Sequence, residues 1–145
     1  MMTTPGTWFF WAVLSACFAA LTAIFAKIGI QGVDSDYATL IRTVIIVFVL
    51  AAFVWHAGKW SDPRMLSVRT VLFLSLSALA TGASWVCYFR ALKVGEASKV
   101  APVDKFSLVL VAIFAFIFLG ERPSVGDWFG IGMVASGVLV LAFRR

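Results

Sequence analysis

Five apolar runs of about twenty residues each, separated by short linkers, leave this chain few ways to fold. They cover residues 8 to about 28, 37–55, 70 to about 91, 98–119, and about 125 to 143. A helix rises about 1.5 Å per residue, so a run of about 20 apolar residues crosses the hydrocarbon core of a bilayer. The linkers GIQGVDSD, HAGKWSDPRMLSV, KVGEA and GERPSVGD hold the turn-forming residues. In lipid every backbone polar group needs a partner within the protein, which leaves helices or closed barrels. The runs lack the strict alternation of a membrane barrel. The expected fold is therefore an all-α integral membrane protein, one domain over residues 1–145 with five transmembrane helices. Trp8, Tyr37, Trp55 and Trp128 fall at run ends, where amphipathic rings prefer the headgroup region.

Composition points the same way. Of 145 residues, 62% are hydrophobic and 13% charged, and the mean hydropathy is +1.00. A soluble domain of this size carries about a quarter charged residues, so this chain has too little polar surface to cover a core in water. The net charge of +5 comes from Lys and Arg scattered among run ends. Anionic lipid headgroups suit that pattern better than nucleic acid does. Cys17 and Cys87 lie inside apolar runs and have neither metal-ligand nor disulfide spacing, so they read as small hydrophobes in helix packing. The chain holds no phosphate-binding loop, metal cluster or nucleophile–base pair. It is expected to be no enzyme, with no cofactor and no metal. LSAC, residues 14–17, resembles a lipoprotein cleavage site, but residues 1–7 hold no Lys or Arg. A secretory signal has a basic n-region, and the first run is expected to stay as a spanning helix.

Five spans put the two termini on opposite sides. One side then holds four basic residues, Lys59, Arg64, Arg69 and Arg122. The other holds six, Lys27, Arg90, Lys93, Lys99, Arg144 and Arg145. The excess leans toward a cytoplasmic C-terminus, and it is small enough to admit insertion in both orientations.

Several polar residues stand where lipid is expected. In the third run Ser77, Thr81, Ser84, Trp85 and Tyr88 share one helical face. They suit helix packing through small polar residues, or a cavity wall in which Trp85 and Tyr88 offer rings to a substrate. In the fifth run Gly126 and Gly130, then Gly132 and Ser136, form small-x-x-x-small pairs that suit helix packing. Arg42 lies inside the second run, either snorkelling to headgroups or facing the bundle interior. His56, at a run end, reads as a solvated loop residue.

The fourth run opens with VAPVDKF, which contains Pro102, Asp104 and Lys105. With a cap near Ser98, Asp104 lies about 9 Å along the helix. Lys105 can reach the headgroups from there. Asp104 is too short, and a carboxylate at that depth is unfavourable unless it is paired, protonated or wet. Pro102 donates no N–H and breaks the helix, which is tolerated only inside protein or beside a cavity. Both therefore point toward the bundle interior, where Asp104 is placed to exchange a proton. In the alternative, the helix begins at Asp104 as its cap and Pro102 lies in the loop.

The segment from Arg90 to Leu141, RALKVGEASKVAPVDKF through LGERPSVGDWFGIGMVASGVLVL, resembles the second half of an EamA-type repeat of the drug/metabolite transporter superfamily. The likeness is carried by Ala91-Leu92 with Gly95, by Val100-Ala101-Pro102, by Leu119-Gly120-Glu121-Arg122, and by the glycines of the fifth run. AIFAKIGIQGVDSDYATLIRT resembles the short, single-repeat members, Arg42 included. The resemblance implies one five-helix repeat in the inner (cell) membrane. It also implies a secondary transporter protomer that exports a small metabolite or amphiphile. Larger members carry two repeats of opposite orientation, so a single repeat is expected to work as a homodimer, possibly antiparallel. In that arrangement Arg42, Trp85, Tyr88, Asp104 and Lys105 belong to a shared substrate pathway. The competing class is a non-transporting subunit or scaffold partner of another membrane complex.

Overall fold

The computed structural model describes residues 7–143. Arg144 and Arg145, expected to close the fifth span, lie outside the described residues. Five helices are long and apolar enough to cross a membrane: Thr7–Gly29, Ser35–His56, Val68–Val94, Ala97–Leu119 and Val125–Phe143. The protein is thus an all-α membrane protein. We number the helices α1 (Thr7–Gly29), α2 (Ser35–His56), α3 (Val68–Val94), α4 (Ala97–Asp104), α5 (Ser107–Phe114) and α6 (Val125–Phe143). The fourth span consists of α4, α5 and a π-helical turn over Ala115–Leu119.

Helix starts follow local chemistry. Before α2 the chain turns at Gly32, whose φ of 76° few other residues adopt. Asp34 then caps the helix, accepting hydrogen bonds from the amides of Asp36 (2.9 Å) and Tyr37 (3.1 Å). Ser67 caps α3, its hydroxyl accepting from the Thr70 amide at 3.1 Å. Before α6, the Asp127 carboxylate accepts from the Ser124 amide and hydroxyl at 2.7 and 2.8 Å, and the Ser124 hydroxyl accepts from the Asp127 amide at 3.2 Å. This is a reciprocal capping box. Such caps satisfy first-turn N–H groups that no helical carbonyl can reach.

The fourth span is broken where its sequence is least helical. Pro102 lies inside α4 and has no N–H to give the Ser98 carbonyl. The chain tightens just beyond it. The amides of Lys105, Phe106, Leu108 and Val109 each bond the carbonyl three residues back, at 3.0 Å. Helical geometry returns at Ser107 without a side-chain cap. Asp104 is the last residue of α4 rather than the cap of a later helix. At the far end, the Glu121 amide bonds the Ala115 carbonyl at 3.2 Å across the π-helical turn. Gly120 closes that turn at φ 69°.

The chain forms two compact units, Phe25–Val94 and Met1–Ile24 with Gly95–Arg145. In the first, α2 packs on α3. In the second, α4 and α5 pack on α6. Most large apolar side chains are exposed along all five spans, as expected where the solvent is lipid. Cys17 and Cys87 are exposed free thiols rather than packing residues within the chain. Helices this apolar turn much of their surface outward, leaving few interior positions.

Candidate functional site

In the unit Phe25–Val94, α2 and α3 run antiparallel, and their pairing sets side chains level in two tiers. The outer tier holds an ion pair. Arg90 grips Asp36 with two near-parallel hydrogen bonds, Nε to Oδ1 at 2.9 Å and Nη2 to Oδ2 at 2.6 Å. Planar guanidinium and carboxylate fit each other in this way. Two lysines tie neighbouring chain ends to the same tier. Lys27 donates to the Leu92 carbonyl at 2.6 Å, and Lys93 to the Val33 carbonyl at 2.9 Å. The Leu92 carbonyl lies in the last turn of α3, where carbonyls lack helical partners and cations are favoured, while the Val33 carbonyl lies in the linker ahead of α2. Phe89 and Leu92 are buried beneath, with 3% and 0% of their surface exposed.

The inner tier lies six residues further along α2, about 9 Å deeper. There the Arg42 guanidinium carbon sits 4.3 Å from the centroid of the Trp85 ring and 5.4 Å from that of Phe89. A cation over an indole face is attracted by the ring quadrupole, by about 0.5 kcal/mol where exposed and about 2 where dry. The Tyr88 ring lies beside that of Phe89, edge to face with centroids 6.4 Å apart. Thr39 and Thr43 share this face of α2 and donate to the carbonyls one turn back, each at 2.8 Å. Arg42 is half-buried on a ring, and so are Trp85 and Tyr88. Ser77, Thr81 and Ser84, on the same face of α3, are exposed.

The other unit holds the remaining candidates. The Asp104 carboxylate stands 3.5 Å from the Lys105 ammonium, with 37% and 53% of the two side chains exposed. A groove of about 720 Å³ between α5 and α6 is lined by residues that include Ala112, Ala115, Gly126 and Gly130 and the charged Glu121 and Arg122. Within this chain the glycines of the two small-residue pairs of α6 do not bring backbones together. A Cβ on Gly130 or Gly132 would meet nothing within 4 Å, and one on Gly126 only the Ser124 hydroxyl at 3.6 Å. Ser136 donates to the Gly132 carbonyl of its own helix at 2.8 Å.

The structure thus joins Arg42 to Trp85, with Tyr88 beside them, and separately joins Asp104 to Lys105. Sequence reasoning missed the Asp36–Arg90 pair. Asp34, an acidic residue at the mouth of an apolar run, carried a legible cap signal. The partner of Asp36 lies 54 residues away, and no local pattern announces it.

Comparison with known proteins agrees with this architecture. The chain matches the EamA-like transporter family over residues 6–143. An uncharacterized transporter from the cobO 3' region of a Sinorhizobium species is 57% identical over 136 residues, 94% of this chain and 96% of that protein. YxxF, an uncharacterized transporter of Bacillus subtilis, is 25% identical over 140 residues, 97% of this chain but 44% of YxxF. ArnE of Yersinia pestis is named as a subunit of a 4-amino-4-deoxy-L-arabinose-phosphoundecaprenol flippase. It is 25% identical over 89 residues, 61% of this chain and 78% of ArnE. No solved structure matches. Five apolar helices and a family match running almost from end to end make this chain a multi-pass membrane transporter belonging to the EamA-like transporter family.

Proposed function

We propose that the protein is one protomer of a secondary carrier in the inner (cell) membrane, exporting a small amphiphilic metabolite and working as a homodimer. The observation that carries this reading is the alignment with YxxF, where nearly all of this chain matches 44% of a longer transporter. A second copy of this chain would supply a comparable amount of protein. Transporters built from inverted repeats hold their substrate between two repeats, near the midplane. Two copies inserted antiparallel would reproduce that symmetry, with Arg42, Trp85 and Tyr88 of each along a shared pathway. The name of ArnE, a flippase subunit for a lipid-linked sugar, supports a cargo with an apolar body. The word subunit in that name also favours a second reading, in which the other half is a different chain.

The test is reconstitution. Purified protein in liposomes is expected to move at least one member of a metabolite and amphiphile panel, faster with a proton gradient than without. If the chain alone moves nothing across the panel while remaining folded, the homodimeric carrier reading fails. Activity regained only with a second five-helix protein would establish the two-chain form.

A further inference from the structure

We propose that Arg42, seated on Trp85, anchors a subsite for an oxyanion, a phosphate or carboxylate carried on an apolar body. The inference rests on the carrier reading for its cargo, while its chemistry is read from one unit of the chain. Residues 25–94 hold seven Lys and Arg but three carboxylates, Asp34, Asp36 and Asp62. All three are engaged elsewhere. Asp34 accepts from the first amides of α2. Asp36 is held by both arms of Arg90. Asp62 accepts from the Arg64 amide at 2.9 Å. Among the described residues of this unit, no carboxylate is therefore left for Arg42.

The ring contact does not replace one. A ring attracts the positive charge but gives the N–H donors no oxygen acceptor, and the guanidinium is a planar fork that matches phosphate and carboxylate. The neighbouring hydroxyls of Thr39 and Thr43 donate to their own helix. A half-buried cation inside a spanning segment is unfavourable without a counter-charge, so an incoming oxyanion meets a waiting partner. The half-buried Trp85 ring beside it offers aromatic surface to the apolar part of the same molecule, with Phe89 buried behind. Arg90 shows what the arrangement lacks, since it is the same residue type one tier out with its carboxylate in place.

A bound oxyanion could be a resident lipid headgroup or the transported molecule, and the experiment separates the two. Protein in dodecyl maltoside micelles, which carry no phosphate, is titrated with dodecyl phosphate, laurate or dodecyltrimethylammonium. Native mass spectrometry counts the molecules retained per chain. Wild-type protein is expected to retain one dodecyl phosphate or laurate per chain, at least about tenfold more tightly than the ammonium. That ratio corresponds to one charge-assisted hydrogen-bonded contact. Arg42→Gln is expected to abolish the preference and Arg42→Lys to keep part of it. Arg69→Gln, at an exposed helix start, is expected to leave it unchanged.

Equal retention of phosphate and ammonium by wild-type protein would overturn the proposal without any variant having to fold. An unchanged preference in Arg42→Gln would overturn it too. Displacement of dodecyl phosphate by phosphatidylglycerol, one for one, assigns the site to a lipid headgroup. Resistance to displacement assigns it to cargo. Anion binding in a protein that moves nothing in liposomes would leave the subsite standing and remove the carrier reading. Transport with charge-blind binding would do the reverse.

Discussion

Asp104 and Arg42 place opposite charges in spanning segments and meet different neighbours. Arg42 has an aromatic seat, whereas Asp104 has the ammonium of the next residue 3.5 Å away. Both side chains are partly exposed, and the long Lys105 stem can turn away to carry its ammonium toward the headgroups. Lys105 can therefore release Asp104 at little cost. The expectation that Asp104 exchanges a proton predicts that Asp104→Asn abolishes pH-driven transport in liposomes while the protein stays folded in the membrane. Normal transport by that variant across a range of pH would reduce Asp104 to a structural pair.

At the scale of the element, the fourth span is the informative one. Its break is set by one missing donor at Pro102 and by four short-range hydrogen bonds just beyond it. Pro102→Ala restores the donor to the Ser98 carbonyl. It is expected to make the span continuous, slowing amide hydrogen exchange over residues 105–109 by at least about tenfold, the equivalent of about 1.4 kcal/mol in local opening. If those amides exchange as before, the break belongs to its surroundings rather than to proline. The five spans themselves were legible in the sequence, because run length reads directly as bilayer thickness. Pro102 announced a break, but not that helix would continue two residues past it. Which of the residues 105–109 tighten depends on how the chain regains its ladder, and no residue type marks that. The pairing of Arg42 with Trp85 was half legible. Each residue stood out alone, but their meeting depends on the register of α2 against α3.

At the scale of the molecule, orientation in the membrane is the open variable that charge can settle. The basic residues divide six to four between the two sides expected for five spans, a bias that positive charge near a span end can outweigh. Two Lys added ahead of the first span are expected to fix insertion one way, as read by paired inside-active and outside-active reporters fused at the C-terminus. If antiparallel dimers are the active form, that variant loses transport alone and regains it with an oppositely biased copy. Unchanged transport by the biased variant alone would exclude the antiparallel dimer.

The lysines that tie down the outer tier give the protein a built-in chemical clock. Lys27 and Lys93 donate to backbone carbonyls at one end of their unit. Lys59 lies exposed beyond the opposite end of α2, about 33 Å away along a helix of 22 residues. A lysine whose ammonium spends part of its time on a carbonyl acylates more slowly than one in open solvent. A membrane-impermeant acylating reagent applied to intact vesicles therefore reads two quantities from unmodified protein. The fraction of Lys59 labelled early reports how many copies point each way. The slowing at part-buried Lys27 reports how much of the time its contact with the Leu92 carbonyl is made.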